Sequence, residues 1–232
     1  MNETVQTLEG SPSQRDTRAT RAGDKELTRT NDPARTMAEI LEVATREFAA
    51  KGLAGARIDE IAAATRTSKR MIYYYFGSKD GLYLAVLEEA YRRMRTIEAD
   101  LHLEDLEPLE ALRRLVGFTY DHHRDNEDFI RLVMSENVQQ GHYLAQSPRM
   151  HELNLTAISA LERLLARGVA SGVFREDLKP LDVHSFISAL CFFNVSNRHT
   201  FGLIFQTGLQ QTKASILDRH HVIDALVRFV SR

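Results

Sequence analysis

A chain of 232 residues, 43% hydrophobic and 27% charged, is long enough for one large domain or two small ones around a buried core. Its net charge of −2 offers no global attraction to nucleic acid, so any such role must come from local clustering. A single cysteine, Cys191, excludes an intrachain disulfide framework and fits a reducing compartment. The charge-free run around it, Val183 to Asn197, is 15 residues long. A membrane helix needs ~20 apolar residues, and the N-terminus shows no basic region followed by an apolar one. The expectation is a cytoplasmic protein with no membrane partner.

Residues 1–31 are rich in Thr, Ser, Arg, Gly and acids and almost lack large apolar groups. Such a segment cannot bury enough surface to offset its ordering entropy, so a disordered polar tail is expected. It is either an arm that touches DNA or an inert leader. From Asp32 the texture changes. In "DPARTMAEILEVATREFAAKG", Asp32 stands at an N-cap position and Pro33 at the first helical position. Met37, Ile40, Leu41, Ala44 and Phe48 recur at helical spacing, and Gly52 stops the run. "IDEIAAAT" (58–65) is a short helix pattern with Ile58, Ile61 and Ala62 inward. After a break at "RTS" another short helix starts at Ser68, and Gly77-Ser78 ends it and caps a longer one. Two short helices joined by a tight turn and preceded by a longer one match a helix-turn-helix unit.

Beyond residue 98 every pattern is helical: "EPLEALRRLVGFTYDHHRD", "EDFIRLVMSENVQQ", a run from about 150 to 170, and a long apolar stretch over 182–207. The last helix, 214–231, places Ile216, His220, Ile223, Val227 and Val230 at 4-3-4-3 spacing, a seam for a partner helix. No stretch alternates as strands do, so the fold class is all-α. The expected division is 1–31 tail, 32–80 helix-turn-helix domain and 81–232 helical domain.

The aromatic run "TSKRMIYYYFGSKDGL" (67–82) carries the strongest signal. At 3.6 residues per turn, Ile72 and Phe76 share one face with Tyr75 beside them, while Lys69, Arg70, Tyr73 and Tyr74 form the opposite strip. Cations neutralise phosphates, and tyrosine hydroxyls bond phosphate oxygens while their rings lie against sugars. Arg70 has the reach to read guanine O6 and N7 in a major groove. Lys79 opens the next helix, whose free amides favour an anion, and Arg57 stands just before the second helix. The local charge agrees mildly: residues 33–80 hold eight basic and six acidic groups. The competing reading, that the tyrosines pack on neighbouring helices and the cations are merely solvated, stays open at this point.

Residues 34–87 resemble the DNA-binding domain of the TetR family of bacterial transcriptional regulators. The matching elements are "ILEVATREFAAKG", "IDEIAAA" and the Ser-Lys-x-x-Ile-Tyr-Tyr-x-Phe-x-x-Lys-Asp-x-Leu spacing of residues 68–82. The resemblance implies a homodimer whose recognition helices enter successive major grooves of a palindromic operator, and a small effector that changes their separation. It implies that Lys69, Arg70, Met71 and Tyr73 face bases or nearby sugars, and that Arg57, Tyr74, Tyr75 and Lys79 grip phosphates. Thr67 and Ser68 complete the candidate DNA contacts. Arg57 stands where the family often has threonine, and Arg70 where a small residue is frequent, which makes Arg70 the leading candidate for specificity. Tyr75 is ambiguous, toward the core by helical geometry and toward the DNA backbone by family position.

Outside the first 90 residues the resemblance is architectural only. It implies dimerisation through the last two helices, with small residues Ser188, Ala189, Ser196 and Gly202 allowing close approach. An effector cavity is expected among the helices between 100 and 200. Its candidate liners are Phe118, His122, Met134, Asn137, Tyr143, His151, Phe192, Phe193, Asn194 and Asn197, polar groups among aromatics that need partners. The nine histidines raise an alternative, a helical-bundle metal protein or enzyme. Glu-x-x-His and His-Glu-x-x-His are absent, however, and His122 and His123 point about 100° apart on one helix. No phosphate loop or nucleophile elbow is present. The expectation is a regulator, with no cofactor, no resident metal and no catalytic residues.

Overall fold

The computed structural model describes residues 32–209 and 214–232; the expected polar tail, 1–31, lies outside them. Among the described residues there are ten α-helices and no strand, only an isolated antiparallel bridge between Phe174 and Ser231. The helices are α1 (Pro33–Gly55), α2 (Ile58–Thr65), α3 (Lys69–Phe76), α4 (Lys79–Ala99) and α5 (Pro108–Asp125). They continue with α6 (Glu127–Val138), α7 (Pro148–Ala170), α8 (Pro180–Ser196), α9 (Arg198–Ile204) and α10 (Arg219–Val230). The all-α expectation holds. No helix among the described residues is long and apolar enough to cross a membrane.

Local chemistry sets the boundaries in the first ninety residues. Gly52 adopts φ 66°, ψ 172°, which breaks α1 at the position where the apolar repeat stops. Ser68 accepts a hydrogen bond from the Met71 amide at 3.2 Å and starts α3. Gly77, at φ 74°, ends α3, and Ser78 accepts from the Gly81 amide at 2.9 Å to start α4. Ile58, Ile61, Ala62 and Ile72 then pack with Ile40, Ala44 and Phe48 of α1 and Leu82, Tyr83, Val86 and Leu87 of α4. Ile72 is completely buried, which alone contributes about 2–3 kcal/mol and fixes the rotation of α3 on its support. Leu132 of α6 closes the same cluster from the C-terminal helices.

A second cluster joins α5, α7, α8 and α10 through Leu112, Val116, Leu161, Leu164, Val183, Ile187, Val222, Leu226 and Val230. Here two sequence expectations are corrected. The stretch 182–207 is not one helix: it divides at Asn197, after which Arg198 turns inward and pairs with Glu127 of α6 at 2.8 Å. Arg198 has a side chain only 8% exposed, and a guanidinium so buried needs a carboxylate partner. The terminal helix begins at Arg219, which leaves Ile216 before it and His220 exposed. Its buried face is Val222, Leu226 and Val230, with Ile223 and Val227 half-buried against the same core. The 4-3-4-3 seam is therefore partly consumed inside the subunit. What stays exposed is a different apolar set on α8 and beyond it: Phe186, Phe193, Leu203, Ile204 and Phe205.

Candidate nucleic-acid interface and internal cavity

Helix α3 presents two unlike faces. Ile72 is buried, and Tyr75 and Phe76 lie half-buried against the first cluster. On the other side Tyr73 is 45% exposed and Tyr74 77% exposed, with Lys69 and Arg70 exposed beside them. A surface of two cations and two tyrosines on a short, rigidly backed helix suits phosphate and sugar contact, with room for a groove. Lys69 is ion-paired with Asp59 of α2. Both side chains are about half exposed, so the pair is weak and exchangeable for a phosphate. Lys79 occupies the first position of α4, and its ammonium donates to the Ala54 carbonyl at 3.4 Å, beyond the α1 break. Arg57 is exposed, and its backbone amide donates to Glu47 Oε1 at 3.2 Å, which ties the start of α2 to α1. Thr67 is half-buried in the α2–α3 turn, and Met71 is half-buried on the flank of α3. Tyr75, ambiguous in sequence, packs toward the core and lies edge-on to both Tyr74 and Phe76.

Behind this unit, α4 runs on to the C-terminal helices, and with α5, α6, α7 and α8 it lines a cavity of about 790 Å³ that is partly open to solvent. Three of the ten expected liners reach it: Phe192 in the wall, Asn137 and His151 at exposed positions on its rim. The other seven lie elsewhere. Phe118 packs with Met94 and Phe129, tilted on the His122 ring. His122 lines a separate polar cleft with Glu42, Arg46 and Glu89. Met134 is 40% exposed, and Tyr143 stacks edge-on to Tyr83. Phe193 faces outward toward Phe201. Asn194 is buried, donating to the Leu190 carbonyl and accepting from the Leu217 amide, and Asn197 ends α8. The residues that sequence reasoning missed are Arg95, Glu98, His123, Asn154 and His184. Arg95 and Glu98 sit at i and i+3 on a long helix, the pattern of a solvated ion pair, and nothing in that pattern marks them as inward-facing.

The electrostatics of the cavity are set by Arg95. Its side chain is 9% exposed; it pairs with Glu98, and its Nε and one terminal nitrogen donate to Asn154 Oδ1 at 3.2 and 3.0 Å. Burial, reinforced by the Arg95 charge, holds the imidazoles of His122 and His184 below their ordinary titration range. His123, 5% exposed, is pushed down to about 3 by burial first, then by His122, Arg95 and His184. His123 Nδ1 has no hydrogen-bond partner among the described residues. The folded state therefore refuses a proton at His123 that the unfolded chain accepts below about pH 6.5. Stability contributed by the neutral imidazole should be fully present above that value and should erode progressively as the pH falls toward about 3. The check is a thermal midpoint series against His123→Phe. A variant curve with the same acid slope as the parent would show that His123 contributes nothing to the acid sensitivity.

With this geometry in view, comparison places the chain. Residues 40–86 match the family model described as bacterial regulatory proteins, tetR family. Residues 108–226 match the model for a tetracyclin repressor-like C-terminal domain. The transcriptional repressor NicS of Pseudomonas putida is 36% identical over 180 residues, 78% of this chain and 85% of NicS. The repressor AcnR of Corynebacterium glutamicum is 30% identical over 170 residues, 73% of this chain and 81% of AcnR. Among solved structures, the Streptomyces coelicolor regulator SCO4942 superposes with a TM-score of 0.57 at 27% identity, covering 84% of this chain and 96% of that one. The helix-turn-helix fold and these relatives define the class, a DNA-binding transcriptional regulator. The chain belongs to the TetR family of bacterial transcriptional regulators, which are not enzymes.

Proposed function

We propose that this chain is a repressor that binds a palindromic operator as a homodimer and is released when a small molecule fills the cavity beneath α4. The observation that carries the DNA half is the strip of Lys69, Arg70, Tyr73 and Tyr74 displayed on a helix anchored by the fully buried Ile72. Lys69, Arg70, Met71 and Tyr73 take the base side, with Thr67 and Ser68 at the approach to the groove. Arg57, Tyr74 and Lys79 take the phosphates. Tyr75, half-buried, would reach DNA only through its rim. The relatives named above, NicS and AcnR, are themselves named as repressors, which supports the sign of regulation.

In this reading residues 32–80 form the reading head, and 81–232 form the effector-binding and dimerisation domain, in the cytoplasm. The dimer forms on the outward face of α8 and the α9 segment, where Phe186, Phe193, Leu203, Ile204 and Phe205 are large apolar side chains exposed among the described residues. Each ligand acts by population shift, favouring a dimer whose heads no longer match half-sites about one helical turn apart. Nothing about the histidines favours a metal enzyme. His122 and His123 face different hollows, and the trio Asp218, His220 and His221 is exposed at the start of α10, where the helix dipole disfavours a cation.

Selection of bound duplexes from random DNA tests the reading. A palindrome should emerge, and a single non-symmetric half-site would refute the dimer. Arg70→Ala should cost about 1–3 kcal/mol on the selected site and relax the preference at one base pair per half-site. An unchanged ranking of operator variants would withdraw Arg70 from specificity.

A further inference from the structure

The cavity is apolar in body but supplies hydrogen-bond donors at one end. Tyr91, Phe129 and Phe192 contribute rings, with His123 edge-on to Phe129 at 5.8 Å and to Phe192 at 6.4 Å. Its volume falls in the range, roughly 300–1,000 Å³, of sites that enclose a drug-sized ligand. At the polar end stands Arg95. A guanidinium has five N–H groups. Two are spent on Asn154 and one on Glu98, which leaves two with no partner among the described residues. Next to it His123 is buried with Nδ1 unpartnered, and His184 faces both from α8.

We infer that the ligand of this cavity is a hydrophobic carboxylic acid, bound as its carboxylate at Arg95 with uptake of one proton from solvent onto His123. The proposal rests on the effector reading above for its regulatory consequence alone. The charge count drives the proton step. The titratable and charged groups that line the cavity with His123 are Tyr91, Arg95 and Glu98 from α4, His151 from α7 and His184 from α8, and the rings of His122 and Phe129 lie against it. Arg95 and Glu98 are ion-paired and cancel, and burial favours the neutral form of His122, His123 and His184. A buried carboxylate added to that set leaves one uncompensated negative charge, which is costly in a low-dielectric site. Protonation of His123 restores neutrality and turns its free ring nitrogen into a donor toward the ligand. In the empty cavity burial depresses His122, His123 and His184 first, with the Arg95 charge adding to it, and a bound anion opposes the Arg95 part of that shift. A dianionic phosphate would require a second cation, and Glu98 opposes it. A cationic ligand would meet Arg95 directly.

The test is calorimetry on the full chain with 1-naphthoate, its neutral counterpart 1-naphthamide, and decanoate, in buffers of low and high ionisation enthalpy. For the carboxylate that fits, ring or chain, uptake should approach one proton per ligand. Its affinity should fall about tenfold per pH unit between roughly pH 5.5 and 7, while naphthamide binds at least tenfold more weakly with no pH dependence. His123→Phe should abolish the uptake and weaken the carboxylate without affecting the amide; His123→Gln serves if the phenylalanine variant does not fold. Equal binding of amide and acid, uptake that survives in the His123 variant, or no binding by either acid overturns the proposal. A carboxylate that binds with proton uptake yet leaves operator affinity unchanged upholds the ligand class and refutes the effector reading instead.

Discussion

Raising monovalent salt from 50 to 200 mM should weaken operator binding by about 10³-fold or more. Each subunit offers Arg57, Lys69, Arg70 and Lys79 around α3, and all four cations are at least partly exposed. If only three of them neutralise phosphates, a dimer releases about six counterions, and a slope near −0.9 per phosphate gives the stated loss over a fourfold rise in salt. The α3 contribution should separate cleanly by residue. Lys79→Ala takes away the cation proposed to neutralise a phosphate at the start of α4, so it should weaken every sequence alike and flatten the salt slope by about one for each half-site. Arg70→Ala should change the ranking among sequences as well. A shallow slope, equivalent to one or two phosphates, would mean that the tyrosines and not the cations grip the backbone. Lys69 is the residue to watch within this series. Its ion pair with Asp59 must open to reach DNA, and an exposed pair costs about 0–1 kcal/mol to break. Asp59→Asn should therefore leave affinity equal or slightly higher.

Gly168→Ala should destabilise the protein by about 3 kcal/mol and lower the thermal midpoint by roughly 6–12 °C. A methyl group at Gly168 would lie 1.8 Å from Cδ2 and 2.3 Å from Cε2 of the Phe174 ring. That ring is 1% exposed, and a close-packed interior resists its displacement. Nor can its backbone swing aside. The Val173 and Phe174 amides both donate to the Gly168 carbonyl at 3.0 Å. The Arg175 amide donates to the Val230 carbonyl at 3.0 Å, and the Arg232 amide to the Val173 carbonyl at 3.3 Å. The turn after α7 is thus stitched to its own helix and to the end of α10. Pairing the change with Phe174→Leu should recover part of the loss, because the smaller side chain vacates the clash. A cost below about 1 kcal/mol for Gly168→Ala alone would show that the ring relocates. Since Gly168 lies in the C-terminal core, salt dependence and sequence preference of the folded fraction should match the parent.

The sequence by itself determined the N-terminal reading unit. Helical period assigned Ile72 to the core and Lys69, Arg70, Tyr73 and Tyr74 to the surface, because neighbours on one short helix are fixed by steps of about 100° whatever it packs against. Ser68, Gly77 and Ser78 marked their boundaries for the same reason: caps and turns are local chemistry. The C-terminal region was legible as helices but not as an arrangement. Period says which residues share a face, not what the face meets. Only the tertiary structure turned the terminal helix so that Val222, Leu226 and Val230 are buried and His220 is not. Past the break at Asn197, Arg198 is received by Glu127, distant in sequence. The cavity depends on five helices at once, so Arg95 and Glu98, which read as an ordinary surface pair on α4, became its buried charges. Tyr143 and Asn194, which read as liners, were taken up by Tyr83 and by the Leu217 amide. A site made of one helix is written in its sequence, whereas a site made of the space between helices exists only once they have packed.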